Sequence, residues 1–172
     1  MNENAGMPPK AQVQFDCRGH ATGKMRNDLD VMMTLPFKEG PFVMATDEGS
    51  FHGGEASAPP PLALFVAGLT GCIMTQIRAF AKRMDVTVDN LDVETRCIWD
   101  WEAKGRIYET APHAFEIDVL IDSSDERSKV VALIEAAKKG CFLEQTLGRA
   151  NTIRNRMKTP DGWMDVSSAD SK

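Results

Sequence analysis

Four cysteines and three histidines are the residues of this 172-residue chain able to ligate a metal, attack a carbonyl or cycle between redox states. Cys17 and His20 have the C-x-x-H spacing of half a zinc site. No second pair follows at such spacing, and structural zinc uses four ligands. Cys17 and Cys97 read instead as small apolar groups on strands, a common role for a free cysteine. His20, His52 and His113 lie in no motif beside Cys72 or Cys141, and no Gly-x-Ser-x-Gly elbow is present. A hydrolase or transferase pairing Cys72 with His52 or His20 stays open as a weaker reading. Gly53-Gly54 belongs to neither a phosphate-binding nor a dinucleotide pattern, so no metal and no cofactor is expected.

Cys72 and Cys141 remain. By periodicity Cys72 sits on or beside the buried stripe of a long helix, where the plain reading is a core thiol filling space next to Gly71. Cys141 follows a helix-ending glycine, where a thiol often packs inward. Sequence spacing alone does not bring the two sulfurs together.

The elements that must position these residues follow from apolar periodicity. Gln12 to Phe15 alternate, as do Leu29, Val31 and Met33, and Phe42 to Thr46 gives a third short strand. Asp47 to Pro61 holds three glycines and three consecutive prolines, a long irregular loop of the kind that more often than not carries function. Leu62, Phe65, Val66, Leu69, Ile73, Ile77, Phe80 and Met84 then recur at spacings of three and four, which predicts one long spine helix. The prolines suit its first turn. Leu91 to Trp99 and Phe115 to Ile121 alternate as two strands joined by a polar loop around Ala103 to Ala111. Asp125 to Lys139 predicts a second amphipathic helix capped by Ser123 or Ser124. Phe142 to Leu147 adds a helical turn, and Asn151 to Met157 a last strand. Strand runs separated by a spine helix predict an α+β fold rather than a doubly wound one. The expected organisation is a flexible tail over 1–10, one domain over 11–150 and a C-terminal extension over 151–172.

Bulk composition narrows the function. The net charge is -5, with basic residues scattered among acids, which argues against a nucleic-acid partner. The longest apolar run, Pro59 to Met74, is broken by Gly68, Thr70 and Gly71, so no membrane span is expected. Met1 to Lys10 lacks the charged start and apolar run of a secretory signal. The cytoplasm is therefore the expected compartment, where four cysteines are not a disulfide framework.

The segment Gly53-Gly54-Glu55-Ala56-Ser57-Ala58-Pro59-Pro60-Pro61, running through Leu62 to Gly71-Cys72, resembles the signature of the OsmC-like and organic hydroperoxide resistance proteins. In that family a glycine pair and proline lead into a helix that carries the first cysteine. Ala136-Ala137-Lys138-Lys139-Gly140-Cys141 with Thr146-Leu147 resembles its second-cysteine box, and Asp47-Glu48-Gly49 a loop of one subgroup. The likeness spans roughly Gln12 to Leu147.

The resemblance implies a curved antiparallel sheet wrapped around the long helix in an intertwined homodimer. It implies a peroxidatic thiol at Cys72 and a resolving thiol at Cys141, reducing an organic hydroperoxide in oxidative stress defence. The partners implied are a small-molecule hydroperoxide and a dithiol reductant such as a lipoylated protein. A free thiol is only ~3% thiolate at neutral pH, so a cation is needed, and an arginine serves because it stays charged. Arg26 best matches the family's arginine, with Arg18 as the fallback. Two positions depart from the pattern. Leu62 stands where the peroxidases carry an arginine-orienting glutamate, leaving Glu55 as the substitute, and Phe142 stands where a proline is usual. The alternative is a binding or redox-sensing protein of the same fold with little or no peroxidase activity.

Overall fold

The computed structural model describes residues 10–166; the expected N-terminal tail, apart from Lys10, and residues 167–172 of the expected C-terminal extension lie outside that range. The chain divides into two compact units, residues 1–68 and 69–172.

The first unit is an antiparallel meander of β1 (Gln14–Ala21), β2 (Asn27–Leu35) and β3 (Glu39–Thr46), in that order. Cross-strand partners share a face, so the register sorts the side chains. Cys17, Val31 and Phe42 align on one face, beside Gly19, Leu29 and Met44 and beside Phe15 and Met33. Asp16, Arg18, His20, Asp28 and Asp30 line the other. The same alternation puts Cys17 and His20 on opposite faces, so they cannot converge on one ion. Phe15, Phe42 and Met44 are 51%, 43% and 43% exposed, leaving the apolar face largely uncovered.

The loop after β3 is a folded element. A short 3-10 turn, Ser50–His52, ends at Gly53 in the left-handed region (φ 78°). Gly54 is required for a different reason: a Cβ there would lie 1.9 Å from the Glu48 carbonyl oxygen. The glycine pair therefore folds the loop back on itself, with Ala56 N–H donating to Glu48 at 3.0 Å and Asp47 N–H to Pro59 at 3.2 Å. Helix α1 (Pro61–Met84) starts here, with Pro61 in its first turn as expected and Pro59 and Pro60 just ahead of it.

Most of α1 belongs to the second unit, with the hairpin β4 (Asn90–Lys104) and β5 (Ile107–Asp122), α2 (Arg127–Gly140), α3 (Phe142–Leu147) and a small hairpin, β6 (Arg156–Thr159) and β7 (Gly162–Asp165). Helix α1 is long and apolar enough to cross a membrane by length and composition. In this unit its stripe Leu69, Ile73, Ile77, Ala81 is buried in protein. Leu133 and Ala137 of α2 join that core, and Leu91, Val93, Ile117, Val119 and Ile121 of the hairpin pack against it. Each large aliphatic residue fully buried there contributes about 1.5–3 kcal/mol.

The mixed α and β architecture, with antiparallel sheets and one long helix, is the expected class. Three local expectations are corrected. The polar loop around Ala103–Ala111 is instead strand, and β4 and β5 turn at Gly105-Arg106. Its residues are polar because this end of the hairpin projects into solvent. Helix α2 begins at Arg127 after Glu126, with no side-chain cap bond. Ser123 Oγ accepts instead from the Asp125 N–H at 3.1 Å, within the approach to the helix. Last, no strand forms over 151–155; Pro160-Asp161 turns β6 into β7, and Arg154 clamps Asp165 with two bonds of 2.8 Å.

Candidate functional site

In the second unit the sequence-expected thiols come together. On α1, Cys72, Gln76 and Phe80 follow one another at intervals of four and form a ridge beside the buried stripe. The last residue of α2, Gly140, sits against that ridge: a Cβ on it would lie 2.7 Å from Phe80 Cζ and 3.3 Å from Gln76 Oε1. The next residue is Cys141. It is extended (φ -75°, ψ 109°), serving as C-cap of α2 and N-cap of α3 at once. Its Sγ accepts from the Glu144 N–H at 3.5 Å.

Cys141 is 0% exposed, whereas Cys72 is half-buried, and both are free thiols. Burial first, with a hydrogen bond to the nearby Cys72 and its charge adding to it, pushes the Cys141 thiol up to about 11. Cys141 is therefore a protonated thiol at neutral pH. Of the other cysteines, Cys97 lies on β4 opposite Phe115, its thiol also raised by burial, and Cys17 is exposed on β1.

The second unit also holds a cavity of about 820 Å³ whose walls include Leu69, Ile73, Phe115, Ile117, Ile134 and Glu144. Neither cysteine is among its lining residues; Leu69, Ile73 and Glu144 are their neighbours along α1 and α3. His113, also on its rim, pairs with Asp100 at 2.9 Å. Glu144 Oε2 is buried without a hydrogen-bond partner among the described residues.

The first unit holds the remaining expected site residues in a polar chain. Arg26 donates through Nε to Asp28 Oδ1 at 3.1 Å and through Nη1 to Ser57 Oγ at 3.0 Å. The Ser57 N–H and hydroxyl in turn donate to Asp47 Oδ2 at 2.9 and 2.8 Å. These bonds hold the Asp47 carboxyl below its usual range, against the opposing effect of burial. Glu55 is not the carboxylate that orients Arg26: it pairs with Lys24 at 3.2 Å, both side chains well exposed. Asp28 takes that place, two residues on at the start of β2, with Oδ1 3.0 Å from Arg26 Nη2. Arg18 is exposed on β1 opposite Asp30. His52 pairs with Glu48 at 3.5 Å. Leu62 is 55% exposed in the first turn of α1. Asp28, Asp47 and Ser57 were missed from sequence. For Asp28 the signal existed as an i, i+2 partner of Arg26; for Asp47 and Ser57, ten residues apart across an irregular loop, none did.

Among the described residues no group of three or more His, Cys, Asp or Glu side chains is arranged to hold a metal ion. The site is thus an α+β protein's pair of adjoining thiols, one buried and protonated, the other partly open, carried on a core helix and on the joint between two others. Comparison with known proteins gives the family. The sequence model of the OsmC-like protein family matches residues 53–155, which include both thiols. The chain belongs to that family. It is 63% identical to an OsmC-like hydroperoxide resistance protein from Jannaschia sp., over 90% of this chain and 98% of that one, with a TM-score of 0.63. An OsmC-like protein from Mycoplasma pneumoniae shares the fold at 15% identity, over 78% and 87% of the two chains, with a TM-score of 0.59. An organic hydroperoxide resistance protein from Elizabethkingia anophelis does so at 15% identity, over 83% and 92%, with a TM-score of 0.57. No curated protein matches.

Proposed function

We propose that the protein is a thiol-dependent peroxidase that reduces organic hydroperoxides to alcohols through Cys72 and Cys141, in defence against oxidative stress. One observation carries this reading: the buried Cys141 thiol, held protonated, adjoins the partly open Cys72. A protonated thiol is a poor first nucleophile, so the first attack falls to Cys72 and the later, resolving step to Cys141. The Cys72 thiolate attacks the O–O bond, takes one oxygen as a sulfenic acid and releases the alkoxide, which leaves as alcohol after protonation. Cys141 then condenses with the sulfenic sulfur, forming the disulfide and releasing water before further oxidation. A dithiol, such as a lipoylated protein, returns both sulfurs to thiols by exchange.

The apolar part of the cavity in the same unit, Leu69, Ile73, Phe115, Ile117 and Ile134, suits the organic part of a hydroperoxide. The role of cation for the Cys72 thiolate is carried to Arg26 by family resemblance, with Asp28 fixing its guanidinium where Leu62 offers no carboxylate. A cytoplasmic homodimer is part of the proposal, because the apolar face of the β1–β3 sheet calls for a cover.

The test is turnover of tert-butyl hydroperoxide with dihydrolipoamide, together with alkylation of the native protein at neutral pH. Peroxide consumption with labelling at Cys72 ahead of Cys141 is the expected result. No consumption, with both thiols labelled only after unfolding, would favour a binding protein of the same fold.

A further inference from the structure

We propose that Gly140 is a positioning residue for Cys141, its missing side chain setting how closely the second thiol approaches the first. The inference rests on the peroxidase reading and adds a residue that takes no part in the chemistry. Gly140 reads from sequence as a helix-ending glycine, and such glycines usually serve by adopting a left-handed backbone. That is not its use here. It is the last residue inside α2 and is absent from the positive-φ glycines, which are Gly40, Gly53, Gly105 and Gly162. An alanine would suit the backbone as well or better.

What an alanine lacks is room. Its Cβ would fall 2.7 Å from Phe80 Cζ and 2.8 Å from Phe80 Cε2, inside any tolerated carbon–carbon contact. Phe80 is half-buried, so yielding means moving its ring against its neighbours. Its ring packs against the buried cluster, and the Arg83 guanidinium lies 5.4 Å from its centroid. Gln76 Oε1 closes another side at 3.3 Å. Gln76 and Phe80 stand on the ridge that begins at Cys72, so Gly140 is where the end of α2 rests on the helix bearing the first thiol. One residue later the chain presents Cys141, whose sulfur is held from the far side by the Glu144 N–H.

This contact bears on one step. In resolution, the Cys141 sulfur attacks the sulfenic sulfur of Cys72; the S–S bond forms, the S–O bond breaks, and the oxygen leaves as water with the Cys141 proton. A disulfide closes only over a narrow range of Cα separations, so a displacement of several tenths of an ångström at residue 140 acts directly on it. Attack of Cys72 on the peroxide does not require Cys141 to be in place.

The experiment is single-turnover oxidation of the reduced full-length protein by tert-butyl hydroperoxide. Dimedone adduct at Cys72 and the Cys72–Cys141 disulfide are followed by mass spectrometry in wild type, Gly140→Ala, and Gly140→Ala with Phe80→Leu. Gly140→Ala should form sulfenic acid at the wild-type rate yet close the disulfide about tenfold or more slowly, accumulating dimedone adduct and sulfinic acid. Shortening Phe80 in the double variant should restore closure. If Gly140→Ala does not fold, the double variant decides alone: closure near the wild-type rate supports the contact. Closure at the wild-type rate in folded Gly140→Ala, or a double variant that stays slow, overturns the proposal. A wild-type protein that forms sulfenic acid but no Cys72–Cys141 bond overturns the peroxidase cycle itself, a different result.

Discussion

Asp47 and Cys141 are the two most deeply buried ionisable groups named here, and the chain treats them in opposite ways. Asp47, 2% exposed in the first unit, is met by donors at one oxygen: the Ser57 N–H and hydroxyl both reach Oδ2, Arg26 holds Ser57 in turn, and Oδ1 is buried without a hydrogen-bond partner among the described residues. It is kept charged. Cys141, 0% exposed in the second unit, lies among Ile73, Leu133 and Ala137 with one weak donor at 3.5 Å, and is kept neutral. Burial raises the cost of charge in both places, and hydrogen-bond supply decides the outcome. A carboxylate held charged at neutral pH by its donors is structural. A thiol that is neutral at rest but touches a second thiol is a reagent in waiting, and this contrast is why the redox assignment centres on the second unit.

The largest expected effect tests whether that contrast is functional. Cys72→Ser should lower hydroperoxide consumption at least about a hundredfold, because an alcohol cannot replace the thiolate in attack on the O–O bond. Peroxide loss measured by a colorimetric assay checks it; consumption near wild type would remove Cys72 from the chemistry. Cys141→Ser should have a smaller and different effect. The first oxidation proceeds, turnover with a dithiol falls about tenfold, and intact mass shows sulfinic acid accumulating at Cys72.

Two pH experiments sharpen the comparison by opposite signs. The Cys141 thiol is raised in the folded chain, so the unfolded chain loses its proton first. Stability should fall as pH rises from the ordinary thiol value of 9.0 towards about 11. The loss is on the order of 2 kcal/mol, followed by urea unfolding, and should be absent in Cys141→Ala. Asp47 is the reverse case: its carboxyl is depressed, so its contribution is present above the ordinary value of 3.8 and is lost as pH falls below it. Asp47→Asn should flatten that acid limb and speed amide exchange at Ser57, with a smaller change at neutral pH than the thiol variants show in turnover.

What the sequence made legible divides along the same line. The stripe Leu69, Ile73, Ile77, Ala81 announces its helix because burial on one face imposes a period that survives in the letters, and Cys72 is placed by counting along it. Strands β4 and β5 were legible only where one face is buried. Beyond Trp99 the hairpin faces solvent on both sides, and although Trp101 and Ala103 continue the alternation on β4, Ile107-Tyr108-Glu109-Thr110-Ala111 on β5 carries none while the ladder runs on to Lys104 and Ile107. The Asp161-Gly162 signal beside the Pro160–Asp161 turn went unread, so a strand was placed several residues early. The Arg26–Ser57–Asp47 chain and the assignment of Glu55 to Lys24 depend on how an irregular loop folds, and no periodicity encodes that. Gly140 ends α2 as its type suggests, but whether a glycine serves backbone freedom or close packing is decided by its neighbours in space.

The central claim is that Cys72 and Cys141 form a working redox pair, and one measurement meets it directly. Reduced protein is treated with one equivalent of tert-butyl hydroperoxide, remaining thiols are alkylated, and the digested peptides are mapped under non-reducing conditions. The account predicts a single new linkage joining the Cys72 peptide to the Cys141 peptide, reversed by dihydrolipoamide, with Cys17 and Cys97 alkylated. Recovery of all four cysteines as unlinked thiols, or linkage through Cys17 or Cys97 instead, would contradict it.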